Sequence, residues 1–250
     1  MTTSLWIKRP RPLPDARARL ICVPHGGGGP SSFARWIPEL APDIEVCLVH
    51  LPGRESRLRD QPLDDMHLIA QRVAEALGPV LDRPFAFLGH SMGAVIAYET
   101  AQLLPIAPNH LFASASSAPH HLEEEPPVSH LPDEEFLAEV RRAYDGIPEA
   151  VWQDADLMRL MLPSIRADFA AYENYRWRHP GRLACPITAM GGDADPLVPV
   201  DSLTRWAELT SVEARVQVFP GGHFYLADER AAVQRLIRES LGLVASDSAA

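Results

Sequence analysis

A serine that could act as a nucleophile lies in the sequence G-H-S-M-G at residues 89–93, between an apolar run and a helical pattern. The pattern G-x-S-x-G between a strand and a helix places the serine on a sharp turn, which needs small neighbours and exposes the hydroxyl. The same turn leaves the amide of Met92 at a helix N-terminus, where it can stabilise an oxyanion. We therefore predict that Ser91 is a nucleophile and that Met92 supplies one oxyanion donor.

A serine hydroxyl is a weak nucleophile, and a histidine held by a carboxylate can act as its base. His223 and Asp195 each follow an apolar run and a glycine-containing turn late in the chain. The chain order Ser, Asp, His is the one expected when the serine lies on a strand-turn-helix. Asp193 is the competing carboxylate, and the later position of Asp195, just before a proline, favours Asp195 as the orienting acid.

A second glycine-rich stretch, H-G-G-G-G at residues 25–29, follows the first apolar run and resembles the oxyanion loop of esterases. A phosphate-binding loop of the Walker type would require a lysine at its end, and the sequence G-P-S at residues 29–31 lacks one. A dinucleotide site would require an acidic residue after the next strand, where the sequence reads H-L-P-G at residues 50–53. We therefore predict that Gly26 is the second oxyanion donor.

The elements that would position these residues alternate along the chain. Apolar runs bounded by turn residues predict strands at 19–23, 44–51, 84–88, 110–115, 187–190 and 216–219. Amphipathic segments predict helices at 31–40, 64–81, 92–104, 201–209 and 228–241. The predicted helix caps are Ser31 or Ser32, Asp64 or Asp65, Asp201 and Asp228. Such alternation is typical of a mostly parallel sheet with helices on both faces. Together with the serine turn it predicts an α/β-hydrolase fold.

One interval, residues 117–183, is too long for a simple crossover between two strands. It contains helical patterns at 133–144 and 154–175, and Pro163 should kink or split the second. We interpret the interval as an inserted helical lid over the active edge of the sheet. The prediction is one α/β-hydrolase domain over residues 1–250, with the lid at about 117–183.

Composition excludes several other classes of protein. The 250 residues carry a formal net charge of −10, which argues against a nucleic-acid binder. The N-terminus shows no signal-peptide pattern, and no run of about 18 apolar residues predicts a membrane span. The three cysteines show no metal-binding spacing, so we predict no metal site, no cofactor and a cytoplasmic location.

Several stretches together resemble the type II thioesterases, the free-standing editing hydrolases of polyketide and nonribosomal peptide biosynthesis. They are P-H-G-G-G at 24–28, L-P-G-R-E-S-R at 51–57, G-H-S-M-G-A at 89–94, L-P-S-I-R-A-D-F at 162–169 and G-G-H-F-Y-L at 221–226. The L-P-G-R-E stretch discriminates best, since general esterases lack it. Members more often have alanine where this chain has Gly26, and glycine should serve because the donor is a main-chain amide.

The resemblance implies a substrate, namely an acyl group held as a thioester on the phosphopantetheine arm of an acyl or peptidyl carrier protein. Hydrolysis would release stalled or wrong acyl groups. The lid would then shape the acyl pocket. The candidate lining residues are Trp152, Met158, Met161, Phe169, Tyr172 and Tyr175, and packing between lid and core is the alternative explanation for each of them.

Carrier proteins of this kind are generally acidic, so docking would need a local basic patch on this acidic chain. Arg54, Arg57 and Arg59 follow a predicted strand and would lie at the same sheet edge as the serine. We predict that they include carrier contacts. The alternative is that one of them, most plausibly Arg54, pairs with Glu55 or another carboxylate and fixes the loop.

Two other functions share these catalytic residues. A general carboxylesterase or lipase-like hydrolase would use the same three side chains on oxygen esters. A hydrolase-fold acyltransferase or binding protein would exclude water or leave the three residues silent. Only the L-P-G-R-E stretch and the lid argue against the first alternative, and product analysis would separate the second.

Overall fold

The protein is described by a computed structural model, which places residues 4–122, 126–143, 147, 149–179 and 181–243. Seven strands form one sheet in the order β1-β3-β2-β4-β5-β6-β7. They are Ile7–Lys8 (β1), Ala18–Val23 (β2), Ile44–Val49 (β3), Phe85–His90 (β4), His110–Ser114 (β5), Ile187–Gly192 (β6) and Ala214–Phe219 (β7). Only β1 pairs antiparallel, so the predicted, mostly parallel sheet is confirmed.

The strands at the centre of the sheet are buried on both faces, which explains their continuous apolar sequences. Alternate residues of β2 enter different hydrophobic clusters, since Ile21 and Val23 pack on one face while Leu20 and Cys22 pack on the other. Helices cover both clusters. The carboxyl ends of the parallel strands therefore share one edge, where the functional residues of the chain collect.

Seven α-helices complete the described part of the chain. They are Trp36–Leu40 (α1), Met66–Leu77 (α2), Met92–Leu103 (α3), Asp133–Ala143 (α4), Glu149–Trp152 (α5), Ala155–Glu173 (α6) and Arg230–Ser240 (α7). None of the helices among these placed residues is long and apolar enough to cross a membrane.

Helix starts are where the structure departs most from the predictions. Asp65 does cap α2, because its side chain accepts hydrogen bonds from the amides of His67 and Leu68. The predicted caps Asp201 and Asp228 are wrong. The segment at 200–209 is a 3₁₀ helix that begins after Pro199, and α7 begins at Arg230 without a side-chain cap.

In its described residues, the interval between β5 and β6 contains three α-helices, α4, α5 and α6. Side chains of this interval form a hydrophobic cluster of their own, with Phe136 and Val140 from α4, Met158 and Ile165 from α6, and Ile147 from the segment between α4 and α5. The predicted end of the first lid helix, Tyr144, lies outside the described residues. A separate small core is what an inserted lid requires, and the lid boundaries at 117 and 183 stay a prediction.

Pro163 lies inside α6, but the helix runs unbroken from Ala155 to Glu173. The predicted split is therefore wrong, and the predicted alternative, a kink at Pro163, stays a prediction. Pro163 and Arg159 are exposed, so water can hydrate the carbonyl that the proline leaves without an intrahelical donor. The side chain of Asp154 caps the helix by accepting from the amides of Asp156 and Leu157.

Candidate active site

Ser91 occupies the turn between β4 and α3, with a backbone φ of 55° and ψ of −124°. A Cβ atom added at Gly89 would lie 2.2 Å from the carbonyl oxygen of Gly93, and one added at Gly93 would lie 2.3 Å from that of Val23. Both glycines are therefore required by close backbone packing. The strained φ of a non-glycine residue here matches the turn on which hydrolases present a nucleophilic serine.

His223 and Asp195 meet at the same sheet edge. The ring Nδ1 of His223 lies 2.9 Å from Oδ2 of Asp195, and both side chains are buried. A carboxylate can only accept, so Nδ1 carries the proton and Nε2 carries the lone pair that a general base needs. The His223 ring centroid lies 5.4 Å from that of His90, the residue before Ser91. The structure thus brings the three predicted residues to one edge.

The two candidate carboxylates have different surroundings. Asp195 uses its second oxygen, Oδ1, to accept from the amides of Leu197 and Val198 at 2.9 and 3.2 Å. Asp193 is exposed, and its side chain accepts instead from the amide of Gly221 at 2.9 Å. Asp195 is therefore held in place against the histidine, while Asp193 stabilises the turn that precedes it. This difference supports the choice of Asp195 as the acid.

The two predicted oxyanion donors approach the serine turn from different elements. Met92 is the first residue of α3, where backbone amides lack intrahelical acceptors. In the glycine-rich loop, the Gly27 amide donates to Asp168 at 2.6 Å and the Gly28 amide donates to His25 O at 2.9 Å. These two hydrogen bonds fix the loop that contains Gly26, and the donor role of Gly26 stays a prediction. A Cβ at Gly26 would lie 3.7 Å from its nearest neighbour, so alanine would also fit.

A buried ion pair connects this loop to the lid. The guanidinium of Arg54 donates to both carboxylate oxygens of Asp168 on α6, at 2.8 and 2.9 Å, and to the carbonyl of Gly28 at 3.1 Å. Asp168 in turn accepts from the Gly27 amide. The prediction that Arg54 contacts a carrier protein is wrong because the residue is only 5% exposed. The alternative, an ion pair that fixes the loop, is correct, and its partner is Asp168.

The other two predicted docking arginines differ from each other. Arg57 is largely covered, since its side chain is only 11% exposed and pairs with Asp60, while its guanidinium lies 4.8 Å from the Trp6 ring centroid. It also donates to the carbonyl of His50. Arg59 is exposed. A docking contact through Arg59 stays a prediction, whereas Arg57 has little free surface to offer.

Two further histidines lie beside His223, and burial keeps both neutral. The pKa of His25 is lowered to about 4, mainly by burial and further by the nearby charges of His223 and Arg54. Burial likewise lowers the pKa of His90 well below its usual value, and its Nδ1 lies 2.9 Å from the Ser114 hydroxyl. Neutral neighbours add no positive charge to the site, so they leave His223 to accept the proton.

The predicted acyl-pocket residues lie mostly in the lid's own core. Met158 is buried in the lid cluster, and Trp152, Met161 and Phe169 pack against it. Tyr172 is 37% exposed. Tyr175 points elsewhere, because its hydroxyl donates to the carboxylate of Glu99 at 2.5 Å. These positions favour packing for Met158 and Tyr175, and the role of the others in binding the acyl chain stays a prediction.

The sequence of the chain has clear relatives. A family model described as "Thioesterase domain" matches residues 18–241. The chain is 41% identical over 233 residues to "Gramicidin S biosynthesis protein GrsT" of Aneurinibacillus migulanus, which covers 92% of this chain and 91% of that protein. It is 39% identical over 232 residues to "Thioesterase PikA5" of Streptomyces venezuelae, with coverage of 91% and 82%.

Solved structures give the same picture. The fold is similar to that of the type II thioesterase BorB from the borrelidin biosynthetic cluster, with a TM-score of 0.88, 38% identity, and coverage of 96% of this chain and 99% of that one. It is also similar to the RedJ thioesterase from the prodiginine biosynthetic pathway in Streptomyces coelicolor, with a TM-score of 0.83, 35% identity, and coverage of 90% and 91%. The likeness extends over the sheet and the lid.

Proposed function

The chain belongs to the thioesterase domain family, and on that premise we propose that it hydrolyses acyl thioesters from the phosphopantetheine arm of carrier proteins. The observation that carries the proposal is the strained Ser91 turn at the sheet edge where His223 is hydrogen-bonded to Asp195. The relatives from biosynthetic pathways, among them the type II thioesterase BorB, supply the class of substrate. The natural substrates would be stalled or wrong acyl groups.

In the proposed first half-reaction, the hydroxyl oxygen of Ser91 attacks the thioester carbonyl while Nε2 of His223 accepts the hydroxyl proton. The carboxylate of Asp195 holds the ring in the required tautomer and stabilises the imidazolium that forms. The amides of Met92 and Gly26 donate to the oxyanion of the tetrahedral intermediate. Collapse of that intermediate breaks the carbon–sulfur bond and leaves the acyl group on Ser91.

The thiol of the arm is a good leaving group, since a thiol has a pKa of about 8.5. The proton on His223 passes to the departing sulfur. In the second half-reaction His223 takes a proton from water, and the resulting hydroxide attacks the acyl-serine ester. The products are the free acid, the regenerated carrier arm and unmodified Ser91.

The ion pair between Arg54 and Asp168 gives the lid a second part in this scheme. Asp168 belongs to lid helix α6, yet it fixes the loop that contains Gly26 through the amide of Gly27. A lid that closes over an acyl chain would therefore also hold an oxyanion donor in position.

The protein would work in the cytoplasm, where carrier proteins of biosynthetic assembly lines are found.

The test is incubation of the purified protein with a panel of acyl-loaded carrier proteins, followed by intact-mass measurement of each carrier. The proposal predicts that the carriers lose the acyl mass, keep the phosphopantetheine arm and release the free acid. The Ser91→Ala variant serves as the matched control and should leave every carrier loaded. A protein that spares all acyl carriers and hydrolyses matched oxygen esters would be a general esterase instead. Transfer of the acyl group to another acceptor without free acid would indicate an acyltransferase.

A further inference from the structure

A second cluster of polar side chains surrounds Glu99, a residue of α3 whose side chain is 1% exposed. The hydroxyl of Tyr175 donates to its Oε1 at 2.5 Å. Its Oε2 lies 3.3 Å from Nδ1 of His67 and 2.8 Å from Nε2 of His179. Among the residues that the structure describes, Glu99 forms no ion pair with an arginine or a lysine. A buried carboxylate therefore faces two imidazole nitrogens.

The hydrogen bond made by Nε2 of His67 determines what the other ring nitrogen, Nδ1, can bind. Nε2 of His67 lies 2.9 Å from the carbonyl oxygen of Arg176. A carbonyl can only accept, so Nε2 carries a proton, and Nδ1, the ring nitrogen that faces Oε2 of Glu99, is left to hold either a second proton or a metal ion. A lone pair facing a carboxylate is repulsive. A cation between the two atoms removes that repulsion, and metal-binding histidines usually donate their other N–H to a backbone carbonyl in this way.

From this geometry we propose that Nδ1 of His67, Oε2 of Glu99 and Nε2 of His179 bind a divalent transition-metal ion, for which Zn²⁺ is the best match. Two imidazoles and one carboxylate form a donor set that zinc accepts, with water as the fourth ligand. Donor atoms about 2.0–2.1 Å from a tetrahedral ion are about 3.3 Å apart. The contacts of 3.3 and 2.8 Å on Oε2 are near that spacing, and all three donors lie within 4.8 Å of one another.

Hydrogen bonds orient two of the proposed ligands, as is usual for metal-binding side chains. The hydroxyl of Tyr175 donates to Oε1 of Glu99, the oxygen that does not face the histidines. The carbonyl of Arg176 accepts from Nε2 of His67, the nitrogen that does not face Glu99. The side chains of His67 and His179 are 19% and 31% exposed, so an ion could enter from solvent on the histidine side. The positive charge of Arg178 acts on Tyr175 nearby, which would weaken binding without occupying a donor.

A second histidine-rich cluster is a poorer candidate for a metal site. His120, His121 and Glu208 also lie close enough to hold an ion. The carboxylate of Glu208 is 45% exposed and is paired with Arg205 at 2.9 Å. Its negative charge is therefore already balanced by an arginine and screened by water. Among the described residues Glu99 has no arginine partner, and its side chain is almost inaccessible to water. A zinc ion would therefore stabilise the charge of Glu99 more than that of Glu208.

The proposed site would connect the segment that follows the lid helices to the helices on the sheet. His179 follows lid helix α6, whereas His67 lies in the first turn of α2 and Glu99 lies in α3. An ion would therefore join the chain leaving the lid to two helices that pack on the sheet. Along α3 the site is about 12 Å from Ser91, at 1.5 Å per residue, which makes its role structural. The inference does not depend on the proposed substrate.

The test is titration of the chelator-treated, full-length protein with Zn²⁺ alone, followed by calorimetry. We expect one equivalent to bind with a dissociation constant of about 1 μM or tighter, and to raise the thermal midpoint. His179→Asn removes a donor and should weaken binding at least tenfold. His67→Asn should do the same, so that a folding defect in one variant leaves the other as a test. Both histidines are partly exposed, so we expect the fold to tolerate a polar replacement.

The matched control is His120→Asn, which changes the second cluster and should leave zinc binding at its original strength. Equal zinc affinity in the original protein and in the His67 and His179 variants would overturn the proposal. So would loss of binding in the His120 variant alone. A protein that binds no zinc, but is destabilised by the His179 variant, would mean that the cluster is a hydrogen-bonded contact without a metal. None of these readouts uses the thioesterase activity, so they stand or fall separately from it.

Discussion

The sheet edge and the lid are held by different kinds of interaction. At the sheet edge, Ser91 is positioned by a backbone turn that two glycines make possible, and His223 and Asp195 follow the ends of neighbouring strands. The lid has a small core of its own, while its residues Ala171 and Tyr175 join the larger core that packs on the sheet. Two of its polar contacts with the rest of the chain bear on the sites described above. One is the ion pair of Asp168 with Arg54, and the other is the cluster around Glu99.

The difference shows which parts of the site the chain itself fixes. Backbone geometry at strand ends cannot change without unfolding the sheet, so the reacting groups stay in register whatever the lid does. Side-chain contacts between separate elements can break one at a time. The Arg54–Asp168 pair is one place where the two regions meet, and it contacts the loop that contains Gly26. Changes in the sheet edge should therefore abolish the reaction, and changes in the lid contacts should weaken it.

The largest effect is expected for Ser91→Ala, which removes the nucleophile while the sheet remains intact. Loss of a serine nucleophile costs about 10⁶ in rate in a serine protease. The measurement is release of free acid from an acyl-carrier thioester, with circular dichroism to show that the variant is folded. A folded variant that keeps the original rate would remove Ser91 from the mechanism.

The next largest effect separates the two carboxylates after β6. Asp195→Asn should slow the reaction by about 10⁴, because an amide in that place stabilises the wrong tautomer of the histidine. Asp193→Asn is the matched control and should change the rate little, since its side chain is exposed and accepts from the Gly221 amide instead of contacting His223 in the described part of the chain. If Asp193→Asn is instead the slower enzyme, the acid has been wrongly assigned.

A smaller effect is expected where the lid meets the loop. Arg54→Lys keeps the charge but loses the two-pronged contact with Asp168. We expect kcat to fall by up to about 10², the cost of a disturbed oxyanion donor, with a smaller change in KM. Arg59→Lys, in the same loop but exposed, should behave like the original protein. Equal kinetics in both variants would mean that the lid contact does not reach the oxyanion loop.

The pH dependence of stability should come from the sheet region. Burial lowers the pKa of both His25 and His110 to about 4, so the folded form holds them neutral below the pH at which the unfolded chain protonates them. Their contribution to the free energy of unfolding is complete above about pH 6.5. As the pH falls towards 4, this contribution is lost at about 1.4 kcal/mol per pH unit for each group. Urea unfolding between pH 7 and pH 5 measures this slope. His110→Gln should reduce it, while replacement of the exposed lid residue His130 should not.

The smallest expected effect is a difference in local opening. The lid cluster contains few buried side chains compared with the two clusters on the sheet, so its helices should open more often. Hydrogen exchange followed by mass spectrometry should show amides of α4 exchanging about tenfold faster, or more, than those of β4. Equal protection in the two elements would mean that the lid is a rigid cap.

The predictions from sequence succeeded where the signal is local. Runs of apolar residues located six of the seven strands, and the missed one, Ile7–Lys8, is too short to leave a pattern. The sequence around Ser91, and the positions of Asp195 and His223 after strands, indicated the residues that the fold brings to one edge. Their catalytic roles remain proposals until the variants are measured.

The predictions failed where residues distant in sequence meet. Arg54 and Asp168 are separated by 114 positions, and the arginine's place in an arginine-rich loop suggested a surface role instead of a buried one. The donors of the proposed zinc site come from three separate elements, with no motif spacing to reveal them. Helix caps at Asp201 and Asp228 were overridden by 3₁₀ turns whose geometry depends on packing.

The central claim is that Ser91 carries the acyl group between the two half-reactions, and its most direct test is to trap that intermediate. The protein is mixed with an acyl-loaded carrier, quenched in acid within milliseconds, digested and analysed by mass spectrometry. The account predicts the acyl mass on the peptide that contains Ser91, with none on the same peptide of the Ser91→Ala variant. An acyl group on any other residue, or turnover by the Ser91→Ala variant at the original rate, would contradict it.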